Sequence, residues 1–144
     1  MRDQLGLDFP NLPYLIDGDV KLTGAFAISK YLANEYAPYL AGDTIEEKVQ
    51  IEILYEQIWQ IKKEVTGPCY LGGDRDKLTI HAKQKMKPLI QVLGKKNFLI
   101  GDKLTLIDFY MGELCEFVQW LTYNQLYEEN AIVESYVQRI KKIP

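Results

Sequence analysis

The chain has 144 residues, of which 47% are hydrophobic and 26% charged, with a net charge of -3 from 17 basic and 20 acidic residues. That is the composition of a soluble globular protein with one core or two small ones. It excludes a basic nucleic-acid footprint, and no run of residues reads as a charged tail, a secretory leader or a membrane span.

The first elements are short. Asn11-Leu12-Pro13 precedes an apolar stretch. Tyr14-Leu15-Ile16 reads as a strand, Asp17-Gly18 as a hairpin turn and Val20-Lys21-Leu22 as the return strand. A helix should follow from about Gly24 to Tyr36, with Phe26, Ala27, Tyr31 and Ala33 on its apolar side and Pro38 as its stop. Two strands and one helix are too little to form a domain alone, so the hairpin should want further partners.

Beyond Gly42 the pattern becomes helical throughout. Thr44 followed by Glu47 has the capping-box spacing. Leu54, Ile58, Ile61 and Val65 then mark one buried face of a long helix, expected to end at Gly67-Pro68. A second helix is expected from about Asp74 to Leu93, kinked or divided at Pro88 and ended by Gly94. Phe98-Leu99-Ile100 is a short apolar connector. Thr105 and Asp108 have the types and spacing of an N-cap and its third helical position, structural roles rather than chemical ones. A last helix should span about Glu128 to Lys142. The fold class is therefore mainly α (α+β), a hairpin with one helix followed by a bundle of at least four helices.

Few residues carry obvious chemistry. Cys69 and Cys115 form no C-x-x-C pair and should stay reduced thiols in a cytoplasmic setting. His81 is the sole histidine, so no metal site is expected, and its Lys-rich helical context favours a solvated or partly packed ring.

The stretch LGLDFPNLPYLIDG, Leu5 to Gly18, resembles the central segment of cytosolic glutathione transferases, nearest to their mu class. The likeness continues through KLTGAFAISKYLA and returns at GDKLTLIDF, Gly101 to Phe109, which is similar to the family's capping motif. The resemblance implies a partial thioredoxin-like domain over 1–37 and an all-α domain over 43–144. By it the chain lacks the family's first strand–helix–strand and its last helical segment.

What the resemblance implies for function can be placed on residues. Leu12-Pro13 falls where the family has a cis bond, in a loop whose backbone grips glutathione, and Asn11 aligns with a ligand-contacting residue. Read from residue types alone, the same tripeptide merely enters a strand. Gly24 and Ala25 fall at the helix start that holds the γ-glutamyl end, where the family carries an acidic or amide residue followed by serine. Backbone donors remain there, but each lost side-chain bond to a charged ligand costs about 1.5–3 kcal/mol. The thiol-activating tyrosine of the family has no counterpart in this chain. Tyr70 aligns with a tyrosine facing the electrophile and could donate a proton to a leaving group, or it could be a rim residue. Gln60 aligns with an acidic residue reaching the partner subunit's glutathione, or it is a plain surface glutamine. The implied activity is conjugation of reduced glutathione to small apolar electrophiles, in a homodimer when full length, with glutathione as substrate and no cofactor, no nucleic acid and no membrane. The alternative is a non-catalytic transferase-like binding or protein-association module.

Overall fold

A computed structural model of the protein describes residues 5–143. Strand β1 (Tyr14–Asp17) pairs antiparallel with β2 (Val20–Thr23), with Asp17 opposite Val20 and Tyr14 opposite Thr23. The register leaves Gly18-Asp19 as the two-residue loop, one position later than the turn read from the sequence. Asp17 pairs within the ladder, and Gly18 supplies the positive φ, 57°, at the first turn position.

Helix α1 (Ala25–Tyr36) follows at once and ends before a 3₁₀ turn at Pro38–Leu40. Of the apolar residues expected on its inner side, Ala33 is buried and Phe26 and Tyr31 are half-buried, but Ala27 is exposed. The helix lies on the hairpin through two hydroxyls. Tyr31 and Tyr36 both donate to the Asp17 carboxylate. These bonds, Tyr36 first, hold the Asp17 carboxyl below its usual range and push the Tyr36 hydroxyl up to about 12.

Five helices complete the chain. Helix α2 (Ile45–Tyr70) starts at Thr44, whose Oγ accepts the Glu47 N–H at 3.2 Å, while Glu47 accepts the Asp43 N–H at 2.7 Å. Its inner face is Ile51, Leu54, Ile58, Ile61 and Val65, all buried. The helix runs through Gly67-Pro68 rather than ending there. The missing Pro68 N–H removes one bond from the last turn only, and the Pro68 carbonyl accepts the Gly73 N–H at 2.8 Å.

Helix α3 (Arg75–Leu93) begins at Asp74, whose carboxylate accepts the Asp76 and Lys77 N–H groups. It is not divided at Pro88. Met86, Leu89 and Leu93 are buried on either side of the exposed proline, and that packing outweighs one absent backbone bond. The connector at Phe98–Ile100 forms two isolated β-bridges, Phe98 to Gly101 and Ile100 to Lys103, with Leu99 buried.

Helix α4 (Leu106–Leu121) is the central core element, with Ile107, Met111, Cys115 and Val118 fully buried. The single helix expected over 128–142 is instead two, α5 (Gln125–Glu129) and α6 (Ala131–Lys141). Asn130 separates them at φ −141°, and its side-chain amide donates back to the Leu126 carbonyl at 3.0 Å. Such local bonding competes with a continuous helix.

The Asp108 carboxylate holds the start of α4. It accepts the Leu99 N–H (2.8 Å), the Thr105 N–H (2.8 Å), the Thr105 hydroxyl (3.0 Å) and the Tyr136 hydroxyl (2.8 Å). One buried carboxylate thereby ties the connector, the cap and α6 together.

Candidate functional site

Asn11-Leu12-Pro13 is a short exposed loop ahead of β1, and its Leu12–Pro13 bond is cis. The chain returns to it at Gly24, whose N–H donates to the Pro13 carbonyl at 3.4 Å. A hairpin of this register forces that return, because Tyr14 and Thr23 are the paired ends of the two strands. The loop and the N-terminus of α1 are therefore neighbours, as a peptide grip with an anion-holding end requires.

Gly24 is the N-cap of α1 at φ 91° and ψ 119°, with no side-chain cap bond. No acidic residue stands in the first turn of α1. A Cβ at Gly24 would meet nothing within 4 Å, so the constraint there is backbone conformation and not space.

One feature of the loop departs from the expectation of a free donor. The Leu12 N–H already donates to the Asn11 Oδ1 at 2.9 Å, while Leu12 itself stays 75% exposed. Asparagine readily bonds to backbone of this kind, so an incoming peptide has to displace its side chain.

Comparison with known proteins decides the family. A model of the glutathione S-transferase C-terminal domain matches residues 75–144. Glutathione S-transferase Mu 4 of Mus musculus is 38% identical over 117 residues, 78% of this chain and 52% of that protein. Glutathione S-transferase 2 of Gallus gallus is 40% identical over 112 residues, 75% of this chain and 50% of that protein. The crystal structure of the glutathione S-transferase Blo t 8 superposes with a TM-score of 0.84 at 28% identity, covering 99% of this chain and 69% of that one. The chain belongs to the glutathione S-transferase family. It spans about half the length of the two named relatives.

Within this member of the glutathione S-transferase family, Tyr70 and Gln60 lie on α2. Tyr70 is its last residue and is 87% exposed. Gln60 sits ten positions earlier, roughly 15 Å along the helix. Its amide donates to the Glu64 carboxylate at 3.1 Å. Glu64 also takes the Lys85 ammonium at 2.8 Å and the His81 Nε2 at 3.0 Å, and the lysine above all keeps its carboxyl below the usual range. Gln60, Glu64 and Lys85 line a groove of about 340 Å³ between α2 and α3, with Ile53, Leu89 and Val92 as its apolar wall. Gln60 therefore belongs to that groove. Thr105 and Asp108 lie in the bundle's interior, spent on each other and on the core.

Two assemblies carry no sequence motif. An aromatic seam joins α1 to the bundle: the Phe26 and Tyr55 rings stack at 3.6 Å between centroids, and Tyr110 meets both edge-on. Ser29 Oγ and Tyr110 Oη close the seam at 2.9 Å. The pairing of Asp17 with Tyr31 and Tyr36 is the other. Only the hairpin register and the pitch of α1 bring those three side chains together.

Cys115 is buried, and burial pushes it up to about 12.

Proposed function

We propose that this chain carries part of the glutathione-holding site and the helical domain of a cytoplasmic glutathione transferase. The reaction joins the sulfur of reduced glutathione to a small apolar electrophile. A carbon–sulfur bond forms, the leaving group departs with its electron pair, and the thiol proton passes to solvent. Loop 11–13 would pair with the cysteinyl backbone, and the start of α1 at Gly24 and Ala25 would face the γ-glutamyl carboxylate through the Ala25 N–H, the Gly24 N–H being held by Pro13. Glutathione is the substrate, and no cofactor is required.

The observation that carries this reading is the Gly24 N–H bonded to the Pro13 carbonyl, which joins the two halves of the grip. Tyr70, at the exposed end of α2, is the proposed proton donor to the leaving group. Self-association into a homodimer is favoured by Ile45, Val49 and Ile53, which stand exposed at spacing i, i+4, i+8 on α2. Gln60 lines the groove beside that face.

The test is glutathione binding by the 144-residue chain, followed by nuclear magnetic resonance. Shifts confined to residues 11–13 and 24–27, and lost on Leu12→Pro, support the grip. Saturable binding that leaves those residues unmoved would overturn it.

A further inference from the structure

We propose a second ligand site, for a small phosphate monoester, in the cavity between the α3–α4 connection and the outer face of α6. The cavity is about 330 Å³, within the size range of small-molecule sites. Lys95, Lys96 and Arg139 line it, and no acidic side chain does. None of the three cations forms an ion pair among the described residues, whereas Lys62, Lys83, Lys103 and Lys141 all pair with carboxylates elsewhere. In a chain of net charge -3, three uncompensated cations in one concavity are a local reversal of sign.

Two of the cations are held in place by bonds that leave donors over. Arg139 spends its Nε–H on the Asn97 carbonyl at 3.1 Å, which orients the guanidinium and keeps its two terminal nitrogens for another acceptor. Lys96 gives one ammonium hydrogen to the Leu99 carbonyl at 3.0 Å and retains two. Lys95 is exposed at the rim. Ser135 adds a hydroxyl one helical turn before Arg139. A phosphate dianion satisfies this set better than a carboxylate, because three charge-bearing oxygens can meet a fork, two ammonium groups and a hydroxyl together.

The rest of the lining specifies an ester over the bare ion. Ile132 is 46% exposed at the cavity wall, an apolar surface that inorganic phosphate would leave wet. The site shares no residue with loop 11–13, with Gly24 and Ala25 or with Tyr70, so it stands whether or not the transferase reading does.

Titration of the 144-residue chain with phenyl phosphate, followed by amide resonances, tests the proposal. Saturable shifts are expected at Gly94–Asn97 and Ala131–Arg139. Inorganic phosphate should bind more weakly, and phenol should move none of these signals. Lys95→Gln and Arg139→Gln should each weaken phenyl phosphate at least about tenfold, while Lys95→Arg should retain it. Lys95 makes no side-chain bond among the described residues, so its substitution leaves the fold unchanged and isolates the charge. The proposal is overturned if the shifts do not saturate, if phenol produces the same ones, or if Lys95→Gln binds as the parent does.

Discussion

Replacing Asp108 by alanine probes what holds the helical bundle together. The carboxylate is fully buried, and its four donors come from Leu99, Thr105 (two) and Tyr136, each of them 2% exposed or less. Alanine leaves the Leu99 N–H and the Thr105 N–H with no acceptor and the Tyr136 O–H with only its longer bond to the backbone carbonyl of residue 108, at 3.3 Å, while the Thr105 hydroxyl can rotate to another. An orphaned buried donor costs about 1–3 kcal/mol. A water entering the vacated space recovers part of that. The expected loss is about 3–6 kcal/mol, a large share of the roughly 5–15 kcal/mol that holds a domain folded.

Tyr136→Phe is the control, because it removes one donor from a carboxylate that keeps three and orphans nothing. It should cost about 1.5 kcal/mol. Asparagine at 108 should fall between, since its amide NH₂ would face donors. Urea unfolding followed by circular dichroism gives all three values, and the alanine variant should lose at least about 10 °C in Tm. An Asp108→Ala variant within about 1 kcal/mol of the parent, or no worse than Tyr136→Phe, would refute this role for the carboxylate.

The Asp17 carboxyl, held low by Tyr36 and Tyr31, should titrate by carbon-detected resonance below the ordinary value of about 3.9, and rise toward it in Tyr31→Phe/Tyr36→Phe. Because the folded form titrates lower, these bonds stabilise the hairpin fully above the unfolded value and are lost as pH falls through the folded one; a folded-state midpoint above 3.9 would contradict this. Ala25→Ser restores a hydroxyl at the start of α1 and should tighten glutathione about tenfold by calorimetry, whereas Gly24→Gln, forced to φ 91°, should lower unfolding stability by about 1–3 kcal/mol even if it adds an amide. Cys115, buried and pushed up to about 12, should resist iodoacetamide in the folded chain and react once urea unfolds it, as read by mass spectrometry.

Much of the architecture is readable from the sequence because its determinants are local or periodic. Leu54, Ile58, Ile61 and Val65 recur at helical spacing, and all four are buried. Thr44 and Thr105 mark helix starts because a cap is a matter of residue type and spacing within one turn. The family likeness of Leu5 to Gly18 is likewise a property of contiguous residues. The tertiary structure decided whatever depended on distant groups. Gly67-Pro68 and Pro88 read as breakers, yet α2 continues through the first, where the missing bond falls in its last turn, and α3 through the second, where buried Met86 and Leu89 flank the proline. Asn130 divides the last helix through a side-chain bond that no periodicity reveals. Asp108 reads as a cap residue alone, and only the fold brings Leu99 and Tyr136 to it, from 9 and 28 positions away. The same holds for the candidate sites: the sequence names Pro13 and Gly24, and the hairpin register makes them neighbours, because strand pairing converts separation along the chain into proximity in space.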